Sequence, residues 1–145
     1  MRIITLNVNG IRASAKKGLF EWLQKMQADV VCLQEVRAHK SITEHELYQP
    51  DGYHVYYCDA ERKGYSGVAI YSRIEPKKIT RGLGWDHADK EGRYIQADFE
   101  GLSVASIYLP SGGSGDERQQ IKFDFLKRYK KILNKQIKSG RKFII

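Results

Sequence analysis

The chain has 145 residues, enough for one domain with a hydrophobic core but too few for two. Hydrophobic residues make up 41% of the chain, which excludes wholesale disorder, and no apolar run approaches the length of a membrane-spanning helix. Its 25 Lys and Arg residues outnumber 17 Asp and Glu residues, and the formal net charge of +8 favours an anionic partner such as nucleic acid. On charge alone, a soluble protein that is simply basic remains the alternative.

The cysteine content bears on the compartment. Cys32 and Cys58 do not form a CxxC pair, and the first residues lead directly into a strand without the apolar region of a leader peptide. We therefore expect a reducing, cytoplasmic location and no membrane partner.

The first third of the chain predicts a strand, a helix and a second strand. The stretch "RIITLNV" is typical of a strand and ends in the turn-prone "NGIR". In "GLFEWLQKMQ", four apolar residues recur at helical spacing: Leu19, Phe20, Leu23 and Met26. The stretch "DVVCLQE" then predicts a strand that ends at Glu35.

The rest of the chain predicts short strands followed by a long helix. The strands are "YHVYYCD", "SGVAIYSR", "KKIT", "RYIQADF" and "LSVASIYL". In "SGGSGDE", Ser114 and Glu117 have capping-box spacing, and the glycines form either a flexible turn or a source of N–H groups for a phosphate. The apolar stripe of the helix includes Ile121, Phe125, Leu126, Tyr129, Ile132, Leu133 and Ile137. Gly140 ends this helix, and "KFII" begins another strand.

Two of these strands are apolar at successive positions, "VVCL" and "FII", which indicates burial on both faces of a sheet. Two helices of useful length can cover one face. We therefore expect that the chain is part of a larger protein, or that a partner supplies a further layer.

Polar residues stand at or near the ends of three predicted strands: Asn7, Glu35 and Tyr108. Functional sites gather at strand ends and in the loops beyond them. Glu35 and Asn7 could form part of a Mg²⁺ site, because Mg²⁺ is commonly held by one or two carboxylates and keeps several waters. The alternative is a glutamate at the rim of the sheet that pairs with a nearby Arg or Lys.

Other catalytic signatures are absent from the sequence. It contains no GxxxxGK[ST] phosphate loop, no GxSxG nucleophile elbow and no HExxH zinc helix. This leaves the strand-end residues as the candidates for chemistry.

Five stretches of the sequence occur in one order: "LNVNGIRA", "ADVVCLQEVR", "KGYSGVAIYSR", "EGRYIQADF" and "SIYLPSGGSGDERQQIKFDFL". Together they resemble the bacterial branch of the exonuclease III-type apurinic/apyrimidinic (AP) endonucleases, within the endonuclease/exonuclease/phosphatase superfamily. The resemblance covers essentially all 145 residues. It implies an α/β fold, the N-terminal half of a two-sheet α/β sandwich with mixed, largely antiparallel sheets and helices on one face. Residues 1–145 would form a single, incomplete domain that lacks its C-terminal half.

The resemblance also implies roles for individual residues. Glu35 matches the metal-binding glutamate, Asn7 the asparagine beside it, and Tyr108 the active-site tyrosine near the scissile phosphate. DNA-binding positions are matched by Arg12, Lys17 and Tyr65. Two positions depart from the family pattern: Asn9 stands where some members have Asp, and Arg37 stands where Lys is usual.

The implied activity is a Mg²⁺-dependent DNA-repair nuclease (Mn²⁺ is a second candidate ion). Its substrates would be abasic duplex DNA, cut 5′ to the lesion, and 3′ ends. In the family, a Gly-Asp-x-Asn motif and an Asp-His pair follow the strand matched by "KFII", and the sequence contains neither beyond that strand. We therefore expect that a C-terminal half completes the site, that the chain alone has little activity, and that the full-length parent is a monomer. The alternatives are a phosphatase or lipid phosphodiesterase of the same superfamily, and a non-catalytic DNA-binding fragment.

Overall fold

The computed structural model describes residues 1–113 and 115–145. Besides a single 3₁₀ turn at Glu46–Tyr48, the described elements are, in chain order, β1 (Ile3–Asn7), α1 (Ile11–Lys16), α2 (Leu19–Met26), β2 (Val30–Gln34), α3 (Lys40–Thr43), β3 (His54–Cys58), β4 (Val68–Ser72), β5 (Lys78–Arg81), α4 (Asp86–Lys90), β6 (Tyr94–Asp98), β7 (Leu102–Ile107), α5 (Asp116–Lys138) and β8 (Lys142–Ile144).

The strands form two four-stranded sheets. Sheet 1 has the order β1-β2-β4-β3, and sheet 2 has the order β5-β6-β7-β8. In each sheet one outer pair is parallel, β1 with β2 and β7 with β8, and the other pairs are antiparallel. The sheets are therefore mixed and largely antiparallel.

The two sheets pack face to face and bury a shared apolar layer. On sheet 1 this layer includes Val30, Cys32, Val68 and Ile70, and on sheet 2 it includes Ile95, Ala97 and Val104. Because side chains alternate along a strand, the intervening residues of β2, Val31 and Leu33, point to the opposite face of sheet 1. Both faces of β2 are therefore buried.

Helices cover the outer face of each sheet. The outer face of sheet 1 packs against Ile11 of α1 and against the Leu19, Phe20 and Leu23 stripe of α2. The outer face of sheet 2 packs against α5 through Phe125 and Tyr129. The predicted fold class is confirmed: the chain is a two-sheet α/β sandwich in which each sheet carries helices on one face.

Three expectations about burial were wrong. The second face of β2 needs no outside layer, because sheet 2 covers it. The "FII" strand, β8, is not buried on both faces: it is a sheet edge, and Ile144 is 45% exposed. Leu126 and Ile137 lie outside the packed stripe of α5, where Ile137 is 76% exposed.

The remaining elements are short. Sequence periodicity did not predict α1, α3 or α4, each of which has six residues or fewer. The capping box and the phosphate-binding turn predicted in 111–117 both involve Ser114, which lies outside the described residues. Among the helices of the described ranges, none is long and apolar enough to cross a membrane.

Candidate active site

Asn7 and Glu35 lie at one end of sheet 1. β1 and β2 are parallel and in register, so that Asn7 pairs with Gln34 and Glu35 follows directly. The carboxyl ends of parallel strands meet at the same edge of a sheet, which brings the two side chains together. The Asn7 side-chain oxygen also accepts a hydrogen bond from the backbone N–H of Asn9, at 2.9 Å.

Tyr108 reaches the same place from sheet 2. It follows β7, which lies against β2, and Ser106 connects the two strands. The Ser106 hydroxyl donates to the backbone oxygen of Leu33 at 2.9 Å and accepts from the side-chain amide of Gln34 at 2.9 Å. These cross-sheet bonds fix the end of β7 against the end of β2, and so place Tyr108 beside Glu35.

The backbone after β2 holds Glu35 and Arg37 in an unusual conformation. Both residues have positive φ angles, 54° and 50°, which L-residues rarely adopt. Backbone hydrogen bonds to two neighbouring loops hold this segment. The backbone oxygen of Glu35 accepts from the N–H of Gly10 at 2.7 Å, and the N–H of Arg37 donates to the backbone oxygen of Ser66 at 2.8 Å. Val36, between them, is 1% exposed, so the segment is anchored in the core, while Glu35 and Arg37 line one cavity.

Glu35 forms an ion pair with Arg37. Nη2 of Arg37 donates to Oε1 of Glu35 at 2.6 Å, and the Glu35 side chain is 15% exposed. Burial raises the pKa of Glu35, but hydrogen bonding from Asn7, Arg37 and Tyr108 and the charge of Arg37 outweigh it, so the pKa lies below the ordinary 4.5. Glu35 is therefore an ionised carboxylate at neutral pH.

Tyr108 is protonated beside that carboxylate. Burial raises the pKa of Tyr108, as do the hydrogen bond to Glu35 and its negative charge, while Arg93 and Arg37 lower it; the pKa lies above 10.0. A protonated phenol donates a hydrogen bond. The site therefore offers an anion that can hold a cation, next to a donor that can serve an oxyanion.

These groups line a cavity of about 390 Å³. Its wall includes Glu35, Arg37, Tyr65, Ser66, Tyr108 and Arg118. The predicted DNA-facing residue Tyr65 is thus in the same cavity as Glu35 and Tyr108. Positive side chains outnumber the carboxylate, which suits a ligand that carries negative charge.

The other two predicted DNA-binding residues lie nearby but outside this cavity. Arg12 lines a neighbouring cavity of about 610 Å³, whose wall shares Arg37 and Gly64 with the first. Lys17 lines a separate cavity with Leu6 and Trp22. Arg12 and Lys17 are both exposed. The structure thus groups Glu35, Tyr65 and Tyr108 in one cavity, with Asn7 hydrogen-bonded to Glu35. Arg12 lines the adjacent cavity, and Lys17 lines a third one.

Several residues of the cavity were not predicted from the sequence, among them Ser66, Arg93 and Arg118. Arg93 is 2% exposed, and Ser66 is also 2% exposed with a hydroxyl that has no hydrogen-bond partner among the described residues. Arg118 is on the first turn of α5. Arg93 stands in the stretch "EGRYIQADF", and Ser66 stands in "KGYSGVAIYSR". The local sequence pattern does not distinguish a buried arginine or serine from an exposed one.

The donor set fits a hard divalent cation in part. The carboxylate of Glu35 and the amide of Asn7 provide oxygen atoms of the kind that Mg²⁺ prefers, and the lowered pKa keeps Glu35 ionised. Within residues 1–113 and 115–145, no group of three or more His, Cys, Asp and Glu residues could hold a metal ion. An ion here would therefore have few protein ligands and would keep waters or bind phosphate oxygens.

The family model described as the Endonuclease/Exonuclease/phosphatase family matches residues 4–145, and the chain belongs to this family. It is 40% identical over 119 residues to an exodeoxyribonuclease of Bacillus subtilis (strain 168), covering 81% of this chain and 46% of the relative. It is 37% identical over 131 residues to the DNA repair nuclease APEX1 of Danio rerio, covering 86% of this chain and 42% of the relative.

A solved structure, that of an AP endonuclease from Archaeoglobus fulgidus, has a similar fold. It superposes with a TM-score of 0.76 at 33% identity, covering 87% of this chain and 48% of that one. The chain spans less than half the length of these relatives.

Proposed function

We propose that this chain carries half of the active site of a DNA-repair nuclease. The nuclease would cut the phosphodiester bond 5′ to an abasic site and remove nucleotides from 3′ ends. The relatives in the comparison are named as exodeoxyribonucleases, DNA repair nucleases and AP endonucleases. The observation that carries the proposal is the meeting of an ionised Glu35 and a protonated Tyr108 in one cavity rich in arginine.

Each residue has a distinct role in this proposal. Glu35 and Asn7 hold Mg²⁺, or Mn²⁺, which when bound neutralises charge on the phosphate. Tyr108 donates a hydrogen bond to a phosphate oxygen or to the departing 3′ oxygen. Arg12, Lys17 and Tyr65 contact the DNA, the first two through its phosphates.

A phosphodiester also requires a group that positions and deprotonates the attacking water. We propose that a complementary C-terminal half supplies this group. The support is that Glu35 is the one carboxylate that lines the cavity among the described residues, together with the greater length of the relatives. We further propose that the complete protein is a cytoplasmic monomer.

The test uses a labelled duplex with one abasic-site analogue. The substrate is incubated with the chain, and with a chimaera in which residues 1–145 replace the matching segment of the Bacillus subtilis relative. We expect cleavage 5′ to the lesion in the chimaera, abolished by EDTA and reduced about a hundredfold or more by Glu35→Gln. Glu100→Gln is the matched control, because Glu100 also pairs with a basic residue, Lys77, but its side chain is 86% exposed at a turn outside the cavity.

Besides a chimaera without any cleavage activity, two results would contradict the proposal. One is cleavage that Glu35→Gln and Glu100→Gln affect equally. The other is a chimaera that hydrolyses phosphoinositide or sphingomyelin in preference to abasic DNA, which would assign the family's other chemistry to this site.

A further inference from the structure

Arg93 brings a buried positive charge to the site. It is 2% exposed, and a guanidinium removed from water is costly unless its donors are satisfied. Nε donates to Oε2 of Glu91 at 2.6 Å, so the charge is neutralised from one side. The other two nitrogens, Nη1 and Nη2, point to two tyrosines of the cavity.

The first of these tyrosines is Tyr108, which Arg93 holds twice. The backbone N–H of Tyr108 donates to the backbone oxygen of Arg93 at 2.9 Å. In return, Nη1 of Arg93 donates to the backbone oxygen of Tyr108 at 2.9 Å. The guanidinium carbon also lies 5.2 Å from the centre of the Tyr108 ring, within cation–π range. Both the backbone and the ring of Tyr108 are thus fixed by one residue.

The second tyrosine is Tyr65. Nη2 of Arg93 donates to the Tyr65 hydroxyl at 3.1 Å, and the guanidinium carbon lies 5.9 Å from the centre of that ring. Tyr65 belongs to the loop that precedes β4, whereas Tyr108 follows β7 of the other sheet. Arg93 therefore connects two loops that come from different sheets.

The backbone before Arg93 permits this position. Gly92 has a φ of +58°, and a Cβ on it would lie 2.5 Å from the backbone oxygen of Cys58 and 2.5 Å from the carbonyl carbon of Asp59. Only glycine allows so close an approach to that strand end without displacement. The approach places the residue before Arg93 directly against the end of β3.

We propose that Arg93 is a positioning residue that holds the Tyr108 side chain beside Glu35 and couples its position to that of Tyr65. A shift of Tyr65 on contact with DNA would then also shift the Tyr108 side chain, because the Arg93 guanidinium contacts both. This inference rests on the proposed function for its biological meaning. The coupling itself is a property of the fold and can be measured in the absence of any nuclease activity.

The experiment is NMR of the chain labelled in its tyrosine rings, with the Tyr108 signals assigned through Tyr108→Phe. We expect Arg93→Met to shift and broaden the Tyr108 signals and to remove the nuclear Overhauser contacts between Tyr108 and Glu35. Arg93→Lys, which keeps the charge but not the planar fork, should not restore them. The matched control is Arg73→Met: Arg73 lies 5.1 Å from the Tyr53 ring at the opposite end of β4 and should leave Tyr108 unchanged.

A second readout uses the chimaera described above. There Arg93→Lys should lower kcat about tenfold or more while KM stays within about twofold, because the phenol is displaced while the phosphate contacts of Arg12 and Lys17 are kept. A uniform loss of stability would not produce this split. If the chimaera has no nuclease activity, the proposed function fails, and the NMR result still decides the role of Arg93.

Unchanged Tyr108 signals in a folded Arg93→Met protein would overturn the inference. If that variant does not fold, Tyr65→Phe decides, since it removes only the hydroxyl that accepts from Arg93. In that variant we expect the Tyr108 signals to shift, and their constancy would equally overturn the coupling.

Discussion

At the scale of single residues, the carboxylate of Glu35 has two candidate partners: the guanidinium of Arg37 and a divalent metal ion. Arg37 occupies one carboxylate oxygen at 2.6 Å, as in the interpretation of Glu35 as a paired rim residue. The same side chain nevertheless lines a cavity of about 390 Å³ with Tyr108. The Arg37 side chain is 44% exposed, so water can solvate its guanidinium when it turns away from Glu35.

The environment of Glu35 predicts how stability depends on pH. The folded pKa lies below 4.5, so ionised Glu35 stabilises the fold above that pH, and this contribution is lost as the pH falls through the lowered pKa. Urea denaturation of wild type and Glu35→Gln should therefore show the largest difference in unfolding free energy at neutral pH. The difference should shrink in acid, and a difference that grows in acid would contradict the assigned direction.

Gly92 gives a second prediction at this scale. Gly92→Ala should lower the free energy of unfolding by about 2 kcal/mol or more, because the new methyl group meets backbone atoms and the φ angle is positive. Gly84→Ala is the control: its φ is +77°, but no atom of the described residues lies within 4 Å of the added carbon. Thermal or urea unfolding of both variants measures the two changes. Equal losses of unfolding free energy would show that the close approach at Gly92 does not affect stability.

Single residues also mark the limit of what the sequence predicts. Asn7, Glu35 and Tyr108 could be singled out because a polar residue at the end of an apolar strand is conspicuous. Arg93 could not, because it precedes β6 in a charged stretch and its burial depends on sheet packing. The ion pair between Glu35 and Arg37 depends in turn on two positive φ angles that loops from elsewhere in the chain impose.

At the scale of elements, apolar periodicity was informative where an element is long or buried. It predicted α2, α5 and the described strands β1 to β8 in order. It could not predict the strand order β1-β2-β4-β3, since pairing between distant segments leaves no local pattern. For the same reason, the run "VVCL" indicated two covered faces but not that the chain's own second sheet covers one of them.

The packing of α5 is testable with a pair of phenylalanines. Phe125 is 5% exposed and contacts the Trp85 ring edge-on at 5.3 Å, whereas Phe123 is 54% exposed. Phe125→Ala should lower the free energy of unfolding by about 3 to 5 kcal/mol, and Phe123→Ala by less than about 0.5 kcal/mol. Chemical denaturation gives both values, and similar values for the two variants would mean that α5 does not pack on sheet 2 as described.

At the scale of the whole molecule, the net charge of +8 predicts DNA binding that weakens with salt. If Arg12 contacts a phosphate, Arg12→Ala should reduce the slope of log K against log salt by about 1. Lys138→Ala removes the same charge at the far end of α5 and should leave the slope unchanged. Fluorescence anisotropy over a salt series measures both, and equal effects would indicate that only total charge matters.

The central claim is that Asn7, Glu35 and Tyr108 surround one cation site. Titration of the chain with Mn²⁺, followed by NMR, tests it most directly, because the ion broadens signals of nearby nuclei and no catalysis is needed. The account predicts that signals of these three residues broaden first and that Glu35→Gln prevents it. Broadening that begins elsewhere, or that persists unchanged in Glu35→Gln, would contradict it.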